Sequence, residues 1–286
     1  MERLGLPSAL RGRVDAWRLQ GLRVGLVPTM GNLHAGHLAL VARARELCER
    51  VVASVFVNPT QFGPGEDFDR YPRTLEDDAE ALAGAGCDLL YAPDIAAIYP
   101  AGPAQSYKVV VPALAGVLCG AHRPGHFDGV ATVVTRLYNQ VRPDLAVFGE
   151  KDFQQLRILE RLTVDLGYGI AIARGATVRE PDGLAMSSRN RYLAPGERAR
   201  APALREALLT LREGWRAGIG LAPLEAAGRR SLADAGFEVD YLEVRDEDAL
   251  ERPGPGRAGP FRVFAAARLG ATRLLDNLPL GDHEGQ

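Results

Sequence analysis

Apolar positions along roughly the first 175 residues follow two alternating periods. Runs at 22–27, 51–57, 88–91, 145–148 and 170–173 carry consecutive Val, Ile, Leu or aromatic residues, the signature of strands. Between them, 37–50, 74–85, 130–141 and 153–166 space their apolar residues as helices do. Strand then helix, repeated, predicts an α/β domain with a parallel sheet covered on both faces. Right-handed crossovers make it doubly wound and Rossmann-like. After Glu180-Pro-Asp-Gly183 the character changes: 195–214 and 223–235 read as helices, and 238–244, 262–267 and 272–277 as strands. This predicts a second, smaller α+β C-terminal domain. The expected division is 1–177 for the catalytic domain and 178–286 for a unit closing over it. Pro253-Gly-Pro-Gly256 reads as a turn-rich loop and 281–286 as a frayed tail. No repeat, low-complexity block or membrane-length apolar run is apparent.

Composition narrows the class. With 286 residues, 47% of them hydrophobic, the chain can bury a full core. A net charge of −2 supplies no broad positive field, so neither nucleic acid nor an anionic membrane is an expected partner, and any anion site must be local. Cys48, Cys87 and Cys119 form no C-x-x-C pair, which suits packed thiols in a reducing compartment. The amino terminus lacks the apolar core of a signal peptide, so a cytoplasmic location is expected. Only Lys108 and Lys151 among the 34 basic residues are lysines. Codon bias accounts for that imbalance, yet a lysine inside a motif then stands out.

In a parallel sheet the loops after the strands gather along one edge, where ligands bind. Three unusual motifs occupy such loops: Pro28-Thr-Met-Gly-Asn-Leu-His34, Asn58-Pro-Thr-Gln-Phe62 and Gly149-Glu-Lys-Asp152. They are expected to line one crevice. His34 and His37 are three apart, with no glutamate between them and no cysteine nearby, so zinc binding fails for want of partners. A strand, a glycine turn and a helix start instead offer free N–H groups and a positive dipole end to phosphate. The plainer alternative is a helix cap with a packed imidazole. A fourth segment, Asp182-Gly-Leu-Ala-Met-Ser-Ser-Arg-Asn190, is dense in phosphate-type donors and lies near a hinge.

PTMGNLHAGH, SVFVNPTQF, YPRT, RPGHFDGVATVV, VFGEKDFQQL and REPDGLAMSSRN, in this order over about the first 190 residues, closely resemble the pantothenate synthetase, or pantoate–β-alanine ligase, family. The H-x-G-H element alone is shared across a wider nucleotidyltransferase superfamily. Two departures stand out: Thr60 where methionine is expected, and Phe153 where tyrosine is common.

The resemblance implies ATP-dependent ligation of D-pantoate and β-alanine through a pantoyl adenylate, with release of pyrophosphate and AMP, Mg²⁺ as cofactor and a homodimer. It implies an ATP site of Pro28, Met30, Gly31, His34, His37, Gly149, Lys151, Asp152, Met186, Ser187, Ser188 and Arg189. His34, His37, Lys151, Ser187, Ser188 and Arg189 are its catalytic members. Pantoate falls to Met30, Asn58, Gln61, Val133, Val134 and Gln155. Tyr71, Arg123 and His126 lie in matching motifs without a defined role, and Asp77 and Asp78 are candidate magnesium carboxylates. Plainer readings stand beside these: a solvated Lys151, Asp152 as a helix cap, a polar turn at 187–189 and a solvated acidic face at 77–78. Rival functions are an AMP- or CMP-transferring nucleotidyltransferase, a synthetase fragment and a non-enzymatic nucleotide-binding module.

Overall fold

The structure, a computed structural model, describes residues 1–254 and 259–281. The loop expected at 253–256 and the tail expected at 281–286 extend outside the described residues. In chain order the elements are β1 (Glu2–Leu4), α1 (Pro7–Leu19), β2 (Val24–Thr29), α2 (Ala35–Leu47), β3 (Arg50–Val55), α3 (Leu75–Gly84), β4 (Leu89–Tyr91), α4 (Ile95–Ile98), α5 (Leu118–His122), α6 (His126–Val141), β5 (Leu145–Gly149), α7 (Phe153–Asp165), β6 (Ala171–Gly175), α8 (Pro195–Arg200), α9 (Ala203–Arg216), α10 (Leu221–Asp234), β7 (Glu238–Asp246), β8 (Phe261–Leu269) and β9 (Thr272–Pro279).

β1 to β6 form one parallel sheet in the order β1-β4-β3-β2-β5-β6. Side chains of the central strands divide by parity, because successive residues point to opposite faces. Leu26, Val52, Ala146 and Phe148 enter one core, with residues of α1, α6 and α7. Val27, Val51, Ala53, Leu145 and Val147 enter another, with Val41 and Ala44 of α2 and Ala79 and Leu82 of α3. A strand buried on both faces has no polar side to show, hence the unbroken apolar runs. The chain runs outward from β2 through β3 to β4, then returns to place β5 on the other side of β2. Such a reversal opens a crevice beyond the carboxyl ends of β2 and β5.

The C-terminal unit is an antiparallel sheet, β7-β8-β9, packed against α9 and α10. Both of its faces are covered. Leu242, Val263, Ala265 and Ala267 meet Leu204, Leu208 and Leu232 of the helices, whereas Tyr241, Phe264 and Ala266 join the core of the first unit. The division expected near residue 177 falls between the two sheets, just after β6.

Two elements depart from the expected pattern. The helix expected over 195–214 is broken into α8 and α9 at Pro202, which has no N–H to give an α-helical bond. Upstream of the first expected strand, β1 joins the sheet edge beside β4, and α1 starts at Pro7 and buries Leu10, Val14 and Trp17 along one stripe.

Candidate active site

The crevice beyond β2 and β5 is lined by all four sequence segments, including Met30, His34, His37, Gln61, Lys151, Asp152, Gln155 and Met186 to Asn190. After β2 the chain turns through Gly31 (φ 79°) and Asn32 (φ 53°). The buried Asp78 carboxylate of α3 holds that turn, accepting from the backbone N–H of Asn32 (2.9 Å) and of Leu33 (2.7 Å). A Cβ on Gly31 would lie 2.8 Å from Asp78 Oδ2, so glycine is what lets the carboxylate approach. Asp77 and Asp78, the candidate magnesium carboxylates, stand apart from the crevice. Asp78 is spent on backbone donors, Asp77 is exposed, and neither lines the crevice. Among the described residues no three His, Cys, Asp or Glu side chains gather as a metal site. Gly31 itself shapes the turn without lining the crevice.

His34 caps α2, its Nδ1 accepting from Gly36 N–H at 3.1 Å, and His37 Nδ1 accepts from His34 N–H at 3.3 Å. Capping therefore uses one nitrogen of each ring and not the other. An Nδ1 that accepts carries no proton, so each neutral ring presents Nε2–H as a donor. Burial, reinforced by the charge of Lys151, lowers His34 to about 4. Burial and the neighbouring His34 lower His37 to about 3.

After β3, a 3-10 turn over Pro59–Gln61 carries Gln61. The buried Asn58 is committed to holding it: its Nδ2 donates to Gln61 Oε1 and to the Gly129 carbonyl, both at 3.1 Å, while its Oδ1 accepts from Tyr99 and Thr60 hydroxyls. Thr60 thus joins this polar network and does not line the crevice. A Cβ on Gly129 would come within 2.3 Å of the Thr60 carbonyl oxygen, so α6 and this turn meet only through glycine. His126 Nδ1 donates to the Gln61 carbonyl at 2.8 Å, and Arg123 Nη2 reaches the same oxygen at 3.3 Å. Arg123 also pairs with both oxygens of Glu66. Burial and Arg123 lower His126 to about 4, so this ring is neutral as well. Arg123, His126 and Asn58 thus act on Gln61, and the apolar wall beside it comes from Val130, Val133 and Val134.

After β5, Glu150–Asp152 form a 3-10 turn that places Lys151 Nζ 3.5 Å from Asp152 Oδ1. Asp152 occupies the N-cap of α7 yet makes no side-chain cap bond, leaving its carboxylate to the crevice. Of the paired glutamines, Gln154 is buried and bonded to the backbone of Leu114, Val117 and Cys119, whereas Gln155 lines the crevice. Phe153, the second departure, is buried beneath the Arg262 guanidinium.

The fourth segment is a turn closed by the Arg179–Ala185 bridge. Ser188 Oγ donates to the Asn32 carbonyl at 3.0 Å, tying this segment to the histidine loop. Arg189 pairs with both Asp67 oxygens at 2.9 Å, over the Tyr71 ring. Burial alone would raise Asp67, but the Arg189 ion pair overrides it and holds the carboxyl below its ordinary range. Tyr241, Arg273, Asp276 and Asn277 of the C-terminal sheet also line the crevice, outside all four sequence segments. Their one sequence signal is Asp276-Asn277, two polar residues set between Leu274-Leu275 and Leu278.

The model of the pantoate-beta-alanine ligase family matches residues 5–279. This chain belongs to that family. It is accordingly an enzyme of the ligase class. A pantothenate synthetase from Xanthomonas axonopodis pv. citri is 54% identical over 271 residues, 95% of this chain and 96% of that protein. The crystal structure of pantothenate synthetase from Thermus thermophilus superposes with a TM-score of 0.90 at 46% identity, covering 98% of this chain and 99% of that one. The pantoate-beta-alanine ligase from Francisella tularensis, complexed with beta-gamma ATP and beta-alanine, gives 0.82 at 30% identity, with 98% of both chains covered. No helix among the described residues is long and apolar enough to cross a membrane.

Proposed function

We propose that the enzyme makes pantothenate in two steps within this crevice. A pantoate carboxylate oxygen attacks the α-phosphorus of ATP, the bond to the β-phosphate oxygen breaks, and pyrophosphate leaves from a pantoyl adenylate. The β-alanine amine then attacks the acyl carbon, loses a proton, and expels AMP as the amide forms. The convergence of neutral histidine donors, a lone lysine and a glutamine pocket on one crevice carries this reading. No protein nucleophile is required, so catalysis rests on positioning and on charge placed for the transition state.

Each residue's part follows from its surroundings. His34 and His37 donate through Nε2–H to phosphate oxygens at the start of α2. Lys151, whose charge is felt at both rings, meets negative charge growing on the α-phosphate. Asp152, free of capping duty, accepts from the ribose. Arg189 exchanges Asp67 for a phosphate oxygen, with Ser187 beside it. Gln61 and Gln155 bind pantoate oxygens, while Val133 and Val134 take its methyl groups. Among the described residues no three His, Cys, Asp or Glu side chains gather to hold a metal, so a magnesium ion would be held chiefly by the nucleotide phosphates, whose charge it would offset.

The test is isotope exchange. With ATP, Mg²⁺ and pantoate alone, labelled pyrophosphate should return into ATP, and adding β-alanine should yield free AMP and pantothenate in equal amounts. Exchange that appears only with β-alanine present rules out a prior adenylation step. A product that retains the nucleotide moves the protein to the nucleotidyltransferases.

A further inference from the structure

Adjacent residues of β9 touch two segments of the active site that are remote from each other in sequence. Asn277 is buried, and its Nδ2 donates to the carbonyl of Glu150 at 3.0 Å and of Lys151 at 2.9 Å. Its Oδ1 accepts from Arg262 Nη1 at 2.6 Å, which fixes the orientation of the amide, since a flipped group would set N–H against a guanidinium. Arg262 is itself held by Glu247 and stacked on Phe153, the first residue of α7. The preceding Asp276, also buried, takes both Nη atoms of Arg179 at 2.6 and 3.1 Å. Arg179 in turn donates to the Gly183 carbonyl, closing the turn that leads into Ser187–Arg189. Consecutive strand residues point to opposite faces, so one strand reaches the lysine turn on one side and the serine–arginine segment on the other.

We infer that Asn277 and Asp276 are positioning residues: from the C-terminal sheet they hold the Lys151 turn and the Ser187–Arg189 segment at a fixed separation. The inference rests on the adenylation role given to Lys151. A 3-10 turn of three residues has few internal bonds, and its two consecutive carbonyls both accept from a single side-chain amide. Without that amide the turn can relax, and Lys151 Nζ loses its place although its own side chain is intact. Displacements of about 1 Å at a reacting group can cost on the order of 100-fold in rate. The C-terminal unit is then part of the catalytic geometry as well as a cover for it.

A double-mutant cycle separates this role from simple stabilisation. Asn277→Ala should lower pyrophosphate exchange at least tenfold while the pantoate KM stays within twofold, because the glutamine pocket is untouched. Asn277→Ser, which keeps one donor, should recover part of the loss, and it carries the same cycle if the alanine variant does not fold. In a Lys151→Ala background, Asn277→Ala should cause no further loss, whereas Asp276→Asn, acting through the other segment, should still lower exchange. If Lys151→Ala alone leaves exchange intact, the role of the lysine fails and the inference with it. If Lys151→Ala is crippled but Asn277→Ala lowers exchange by the same factor in both backgrounds, the lysine reading stands and the positioning inference is overturned. Loss of the Asp276→Asn effect in the Lys151→Ala background would overturn the division between the two residues.

Discussion

His34 and His37 show how one residue type serves structure and chemistry through its two nitrogens. Capping occupies Nδ1 and leaves Nε2–H as the donor of each ring. The predicted tautomer is visible by NMR: ring ¹⁵N shifts should report Nε2–H for both residues from pH 8 down to pH 5. A charged ring, or Nδ1–H, would contradict the geometry. Stability should carry the same signature. The unfolded histidines bind protons near 6.5, the folded ones only near 4 and 3, so between these values the unfolded state holds more protons. Stability is therefore lost as pH falls from about 6.5 towards 4. His34→Asn keeps a cap acceptor and removes the titration, so it should flatten this slope. For a ring with partial solvent screening the effect is on the order of 1 kcal/mol at pH 5 relative to pH 8. Urea unfolding at the two pH values checks it, and an unchanged slope would mean His34 titrates normally.

At the level of elements, α3 reaches the histidine loop through its first turn. Asp78 joins two backbone donors of the histidine loop to the helix, with the Thr74 hydroxyl 3.3 Å from the same carboxylate. Asp78→Ala should cost about 2–4 kcal/mol, since each orphaned buried donor carries a penalty of about 1–3 kcal/mol. It should also raise the ATP KM by loosening the loop. Asp77→Ala, at an exposed position, should do neither. Denaturation midpoints and KM values at several Mg²⁺ concentrations decide the matter. If both variants raise the Mg²⁺ requirement, the two carboxylates belong to the metal after all.

Across the whole molecule the two sheets share buried surface. Tyr241, Leu250, Phe264 and Ala266 belong to the same core as α6 and α7, and Arg273 reaches Cys119 across the junction. Separating the units would expose that apolar area and break the Asn277 contacts to the lysine turn, so unfolding should be cooperative. The only two tryptophans report on it independently: Trp17 sits in the first core, and Trp215 packs edge-on against Phe261 in the second. Variants with a single tryptophan, Trp17→Phe and Trp215→Phe, should give coincident urea midpoints by fluorescence. Two distinct midpoints would show that the units unfold separately.

The sequence by itself determined the sheet-and-helix alternation, the gathering of motifs at strand ends and, through six linked motifs, the family. Those features depend on local periodicity and on residue identity, which are written along the chain. It read the helix after the histidine loop as 37–50, and the structure starts that helix two residues earlier, at Ala35. The amino-terminal β1 and α1 were not read from the sequence, although Leu10, Val14 and Trp17 mark one stripe of α1. Tertiary structure decided how polar atoms are spent. Asp78 and Asn58 face inward and hold backbone and side chain, Asp152 leaves its cap unmade, and Arg189 pairs with Asp67. It also decided that β9 supplies Asp276 and Asn277 to an active site whose motifs end at Asn190, far earlier in the chain. Hydrogen-bond partners distant along the chain are set by how elements pack, and no local pattern in the sequence encodes which donor a carboxylate or amide will meet.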